Sequence, residues 1–222
     1  MDHTAFRLSL ELAAWTLAVL LPFAILVGRW LAAAQFTGKG LVEALVALPL
    51  VLPPTVLGYY LIVAFGAGSW LGELYGRLTD RSLVFSFDGL LVASVIFNLP
   101  FAIQPIQRAY EAIPLDVRQA AACCGMSARR AFLRVELPLA WPGIVSAAAL
   151  TFAHTLGEFG VVLMVGGSIP GETRTIAIAI YDSLQALDTD AAGAMSALLL
   201  VLSLGALALV YGTSRRVGRR RG

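Results

Sequence analysis

Five stretches of this chain, about 9–34, 41–66, 88–107, 139–166 and 191–212, are each apolar over the length a bilayer demands. A hydrocarbon core of about 30 Å is crossed by about 20 predominantly apolar residues, and inside it every backbone amide must be satisfied within the protein. That confines the chain to an all-α, polytopic membrane architecture of about five transmembrane helices. With 59% hydrophobic residues, 14% charged and a mean hydropathy of +0.81, it lies outside the range of ordinary soluble domains. Spans and short loops use all 222 residues, so 1–222 reads as one transmembrane domain, with a core at about 9–212 and a polar inner loop at 108–138. The first span is too long for the apolar region of a signal peptide and lacks a cleavage-like end, so it is expected in the mature protein.

The basic residues choose the orientation, because Lys and Arg concentrate on the cytoplasmic side. With the N-terminus outside and five crossings, the inner segments hold Arg29, Lys39, Arg108, Arg118, Arg129, Arg130 and Arg134. The C-terminal tail adds Arg215, Arg216, Arg219, Arg220 and Arg221. Those are 12 of the 16 basic residues; only Arg7, Arg77, Arg81 and Arg174 fall outside. The reverse orientation inverts that ratio, so the expected topology is N-terminus outside and C-terminus cytoplasmic. The tail arginines suit the anionic headgroups of the lipid bilayer; so short a basic run beside a span is a topology anchor and not a nucleic-acid site.

The inner loop is the longest polar segment on the cytoplasmic side. A helix is expected to start at Pro114 to Asp116 and run to about Cys124. Gly125 can supply the left-handed residue that stops it, and Ser127 can cap a second helix. There Ala128, Ala131, Phe132 and Val135 recur at i, i+3, i+4 and i+7 as one apolar stripe, with Arg129, Arg130 and Arg134 on other faces. Leu137 and Pro138 return the chain to the membrane. A short helix of this kind fits a groove in a partner protein or the bilayer surface; periodicity alone leaves both open. Cys123 and Cys124 are sequence neighbours on a helix and point apart, which disfavours a disulfide or a metal site. They are expected to be small packing residues in a reducing cytosol.

Nothing in the chain can supply energy. The sole Gly-Lys, Gly38-Lys39, is followed by Gly40 and lacks the frame of a phosphate loop. No nucleophile, base and acid fall together, and two histidines make no metal set. The chain is therefore expected not to be an enzyme, to have no catalytic residues and to carry no cofactor or metal. In an ATP-driven machine the nucleotide must sit on another subunit.

The spans hold unusual residues. Pro49, Pro53 and Pro54 lie within the second span and must bend or break it; the freed carbonyls survive only against neighbouring protein or a watery cavity. Such a bend serves packing or lines a pathway. The third span carries Asn98 beside Pro100. In the fourth, Thr151, His154, Thr155 and Glu158 form a polar stripe at i, i+3, i+4 and i+7, which should face other helices, a symmetry mate or an aqueous path. His154 fits either a satisfied packing role or the pathway. Glu158, roughly 30 Å along from Pro138 at about 1.5 Å per residue, lies towards the outer mouth; it suits gating, or pairing with Arg or backbone amides. The outer loops at about 67–87 and 167–190 are candidate surfaces for an external partner, with Trp70 and Tyr75 suited to an interfacial belt.

The inner loop also resembles the EAA loop of bacterial ABC importer permeases, E-A-A, three residues, Gly, nine residues, I-x-L-P. Here Gln119, Ala120 and Ala121 are followed by Gly125 and then by Val135, Leu137 and Pro138, with all spacings kept. Two further stretches, LPLVLPPTVLGYYL at 48–61 and LGEFGVVLMVGGSIPGETRTIAIAIY at 156–181, resemble the molybdate/tungstate permeases and the neighbouring sulfate group. The resemblance implies a MetI-like permease fold in a bacterial inner membrane and a homodimer with a pathway along the dimer axis. It also implies two copies of a cytoplasmic ABC ATPase gripping the inner loops, and an extracytoplasmic binding protein that delivers the oxyanion. Two positions depart from the pattern: Gln119 replaces a Glu, and His154 stands where a basic Arg is expected, which would make any anion-guiding charge there pH-dependent. The alternatives are a sulfate or thiosulfate ABC permease and, in a different class, a stand-alone secondary oxyanion carrier.

Overall fold

The computed structural model describes residues 2–218. Met1 and residues 219–222 lie outside that range, including Arg219, Arg220 and Arg221 of the expected anchor, and of Arg215 and Arg216 only the backbone is described. Among the described residues every regular element is helical. α1 (His3–Ala33) starts on Asp2, whose carboxylate accepts from the Ala5 amide at 2.9 Å. Its buried positions Leu8, Leu12, Thr16, Leu20, Ala24, Gly28 and Leu31 recur every third or fourth residue and turn one stripe inward. Trp15, Val19, Phe23 and Leu26 on the same helix stay exposed, the outward apolar face that a helix in lipid presents.

The second span is broken. α2 (Lys39–Val51) and α3 (Pro54–Phe65) meet at a bend of 109°. A residue before proline is driven out of the α region, and Leu52 and Pro53 each precede one; both are extended, with ψ of 134° and 138°. Pro54 then opens α3, where its missing N–H costs nothing. Pro49 is accommodated inside α2. A pair bent in this way is either one broken span or a segment that dips in and returns. Val42 and Val46 of α2 pack with Ile103, Ile106 and Tyr110, near one end of α5 (Phe87–Glu111). Leu57, Leu61 and Phe65 of α3 pack with Leu90, Ala93 and Phe97, near the other end. Four helices are long and apolar enough to cross a membrane, and the pair makes a fifth when counted as one broken span.

The fourth span, expected to be continuous over 139–166, is also interrupted. α8 (Leu137–Gly157) ends at an extended Glu158, and α9 (Gly160–Gly166) restarts the helix after Phe159. The two breaks adjoin. A Cβ on Gly160 would stand 2.6 Å from the Pro54 Cβ, so glycine is what allows the start of α9 to lie against the start of α3. The loops between spans hold α4 (Trp70–Thr79), α6 (Leu115–Cys123), α7 (Ala128–Ala131) and α10 (Ile176–Gln185), and the last span is α11 (Thr189–Gly218). α5 is the hub, flanked by α1 and α8. Close approach to α8 depends on Gly143, where a Cβ would collide with Ala109 Cβ and stand 2.8 Å from the Pro105 carbonyl.

Candidate functional site

Two regions stand out. On the side where α5 ends, the loop folds as its sequence predicts up to residue 131. α6 stops at Gly125, which takes φ +70°, and the Met126 amide reaches back to the Ala121 carbonyl at 3.1 Å, the closure of a glycine-terminated helix. Ser127 caps α7 through the Arg130 amide at 3.4 Å. The helix expected to continue then widens into a five-residue π turn, Phe132–Glu136, in which the Leu137 amide bonds to the Phe132 carbonyl.

The loop is bound to the membrane helices by its own side chains. Glu136 is buried, and its Oε2 accepts from Arg29 Nε at 2.5 Å. The Arg29 guanidinium also sits 5.0 Å from the centre of the Phe132 ring, and Arg118 donates to the Tyr110 carbonyl at 2.7 Å. The later part of the apolar stripe, Ala131, Phe132 and Val135, is consequently turned towards the protein's own core, while Ala128 at its start stays exposed. Phe132 packs on the Ile103, Ile106 and Tyr110 cluster, and Ala131 and Val135 are half-buried. Ala121 is buried and Leu137 half-buried, whereas Gln119, Ala120, Gly125, Arg129, Arg130, Arg134 and Pro138 are exposed together with Leu133. Cys123 and Cys124 are exposed too, not packing residues, because α6 turns that side away from the bundle. The sequence reading missed Arg29 and Glu136. Its available signal was the single acid among the four arginines of 117–138, placed directly before Leu137 and Pro138.

The second region is a polar track across three spans. Asn98, fully buried on α5, donates through Nδ2 to the Ser94 carbonyl and to Thr155 Oγ1, both at 2.9 Å. Its Oδ1 lies 3.1 Å from His154 Nδ1. The Thr155 hydroxyl passes its own proton to the Thr151 carbonyl at 2.8 Å. On the far side Thr16 donates to Ser94 Oγ at 2.7 Å, which ties α1 to α5 and α8. His154 stacks on Phe101, with ring centroids 4.0 Å apart. Its Nε2 is 3.8 Å from Glu158 Oε2, while Glu158 Oε1 accepts from the Val161 amide at 2.9 Å and so caps α9.

Asn98, His154, Thr155 and Glu158 are therefore brought together, with Pro53 and Pro54 beside them through Gly160. Thr151 is fully buried, and its hydroxyl has no partner among the described residues. Ser94, not singled out from the sequence, is four residues before Asn98 on the same face, which was the signal available; Thr16 gave none. At the end of α5 where it begins, Tyr75, Arg81, Asp88 and Glu172 line a cleft of about 520 Å³. Nearby, Arg174 pairs with Asp182 at 3.1 Å and Asp2 at 3.7 Å, tying the 167–175 loop to the start of α1.

Known proteins share this arrangement. Residues 21–220 match the family model described as the binding-protein-dependent transport system inner membrane component. The chain is 44% identical over 214 residues to the molybdenum transport system permease protein ModB of Azotobacter vinelandii, covering 96% of this chain and 95% of that protein. It is 36% identical to the ModB of Haemophilus influenzae, over 100% and 97% of the two chains. A probable sulfate transport system permease protein, cysT of Chlorella vulgaris, is 30% identical over 93% of this chain and 77% of its own. Among solved structures, a bacterial ABC transporter involved in alginate import matches with a TM-score of 0.76 at 18% identity, over 96% of this chain and 79% of that one. The MetNI methionine ABC transporter matches at 0.64 and 17%, over 98% and 92%. Those two show the fold, as the expected MetI-like permease. Four to five apolar spans, a helical loop of EAA spacing at 119–138 and a match over 200 residues lead to one conclusion: the chain belongs to the family of inner membrane components of binding-protein-dependent transport systems.

Proposed function

We propose that this chain is the membrane-spanning subunit of an ATP-driven importer of molybdate or tungstate. The observation that carries the reading is 44% identity, over nearly the full length of both chains, to a molybdenum transport permease; the sulfate permease relatives reach 30%. In this reading residues 1–222 form one permease domain, inserted with the N-terminus outside and the C-terminus cytoplasmic. Two copies pair as a homodimer around the pathway. An extracytoplasmic binding protein delivers the oxyanion, and two ATPase subunits grip the loops at 108–138.

The exposed residues Gln119, Ala120, Gly125, Arg129, Arg130, Arg134 and Pro138 then form the docking surface, with Ala121, Phe132, Val135 and Leu137 supporting it from beneath. Pro53, Pro54, Asn98, Thr151, His154, Thr155 and Glu158 belong to the pathway or its gate. Discontinuous helices meeting inside a membrane commonly mark the place where a transported group passes, and here the breaks of α2–α3 and α8–α9 adjoin. Tight binding is not required, since the binding protein supplies selectivity and the path must release the anion.

Radiolabelled molybdate uptake by proteoliposomes containing the complete complex tests the substrate. Unlabelled molybdate and tungstate should compete and a hundredfold excess of sulfate should not. Competition by sulfate alone would transfer the assignment to the sulfate permeases. Uptake without any ATPase subunit would instead identify a secondary carrier.

A further inference from the structure

We propose that the Arg29–Glu136 pair, seated on Phe132, is the joint through which the inner loop moves the membrane helices, a positioning device separate from the surface that meets the ATPase. The inference rests on the reading of the loop as the ATPase dock.

Three observations carry it. First, the pair joins residues 107 positions apart: Glu136 ends the π turn that leads directly into α8, and Arg29 lies at the inner end of α1. Nothing else among the described side-chain hydrogen bonds and ion pairs links the 115–136 segment to α1. Second, the acid of the pair is sheltered. The Glu136 side chain is 10% exposed and the Arg29 side chain 39%, and one face of the Arg29 guanidinium is occupied by Phe132. A half-buried pair held in this way is screened less than a fully exposed one and has a defined geometry. Third, the segment is a π turn, an irregular geometry found mostly as short insertions at functional positions. That turn brings Phe132 and Glu136, at its two ends, to the same guanidinium.

A push on the exposed face of α6 and α7 would therefore reach the membrane by two routes. One is axial, along the helix from the π turn into α8, whose far end carries His154 and Glu158. The other is lateral, through Glu136 to Arg29 and α1. At the inner end α1 is itself pressed on α5, since a Cβ on Gly28 would stand 2.9 Å from Ile106 Cγ2 and 3.1 Å from the Gln107 amide nitrogen. The lateral route makes α1, α5 and α8 respond as one body and not α8 alone. Cutting it should let the ATPase dock and turn over while the membrane helices respond weakly.

The test measures ATP hydrolysed and molybdate transported in the same proteoliposomes with the whole complex, together with the ATPase co-purifying with the permease. Glu136→Gln keeps the shape and an acceptor but removes the charge. It should leave co-purification and ATP hydrolysis intact and lower molybdate per ATP severalfold. The charge-exchanged double variant Arg29→Glu with Glu136→Arg should recover most of that ratio. A merely destabilising change would lower hydrolysis and transport together and leave the ratio unmoved. An unchanged ratio in Glu136→Gln, or loss of ATPase co-purification, overturns the proposal. If the Glu136→Gln permease itself does not fold and insert, the decision falls to Arg29→Lys, which keeps the charge but not the planar group on Phe132: a lowered ratio supports the joint and an unchanged one overturns it. Failure of the unmodified permease to bind any ATPase would instead defeat the reading of the loop on which the proposal stands.

Discussion

Replacing Asn98 by leucine should unstitch α5 from α8 without emptying the core. Asn98 is fully buried, and leucine has the same number of side-chain heavy atoms but greater bulk, so no cavity results and any steric cost is overpacking, which the double-mutant cycle cancels. What is lost is chemical: the bond to Thr155 Oγ1 at 2.9 Å and the contact with His154 Nδ1 at 3.1 Å, both between helices. Hydrogen bonds between membrane helices average about 0.6 kcal/mol and reach about 1.7, so two of them set a loss of about 1–3 kcal/mol. Thr155 keeps the Thr151 carbonyl as acceptor, which holds the loss to that range, while His154 is left with Glu158 at 3.8 Å and the Phe101 ring. Asn98→Asp should be worse than Asn98→Leu, because an ionised carboxylate cannot donate to the Ser94 carbonyl or Thr155 and is costly inside a membrane. The assay is reversible unfolding in mixed micelles, run as a double-mutant cycle with Thr155→Val. An interaction energy of about 0.6–1.7 kcal/mol is expected. Additivity within about 0.3–0.5 kcal/mol, or a leucine variant as stable as the unmodified protein, would refute the stitch.

Two further outcomes can be checked on the same preparation. Gly143→Ala drives a Cβ into Ala109 and the Pro105 carbonyl and should cost about 1–3 kcal/mol as overpacking. Gly205→Ala in α11 meets nothing within 4 Å and should be neutral or stabilise by about 0.4–1 kcal/mol, so the same unfolding assay should give opposite signs. Outside the spans, Tyr75 donates to Asp88, and that bond first, then burial, raises its phenol above the usual value of 10.0. A raised folded-state value means that the stabilisation is complete below pH 10 and is lost as pH climbs through the higher folded value. An alkaline stability titration should therefore be flatter for Tyr75→Phe than for the unmodified protein, by a small, solvent-screened amount.

The large features were legible because single residues force them. Twenty-residue apolar runs can only be spans. Pro53 and Pro54 in succession cannot both continue a helix, and the second span breaks at them, with Pro54 opening α3. Gly125 and Ser127 likewise predict the stop and restart seen in the inner loop. The misses have a common origin in tertiary contact. Glu158 was counted along a continuous helix, whereas the structure ends α8 at Gly157 and uses the Glu158 carboxylate to cap α9; the glycines at 157 and 160 bracket that break. The stripe at Ala128, Ala131, Phe132 and Val135 has helical period, but period does not say which way a face turns: Ala131, Phe132 and Val135 lie half-buried beside the Arg29–Glu136 pair, and Ala128 stays exposed. Two residues 107 positions apart leave no local pattern, so Arg29 looked like one more positive charge on the inner side.

The central claim is that the loop at 119–138 converts ATP hydrolysis on a partner into movement of the oxyanion. Gly125 is the position to probe: it is exposed, its Cβ direction is open for 4 Å, and its φ of +70° is one that Asp tolerates better than most residues. Gly125→Asp thus adds a charged group to the proposed docking surface with little disturbance of the fold. The decisive measurement is ATP-dependent uptake of labelled molybdate by proteoliposomes holding the permease, the ATPase and the binding protein. The account predicts ATP-dependent uptake with the unmodified chain, abolished by Gly125→Asp in a permease that still folds and inserts. Undiminished uptake in that variant, or uptake indifferent to ATP, would contradict it.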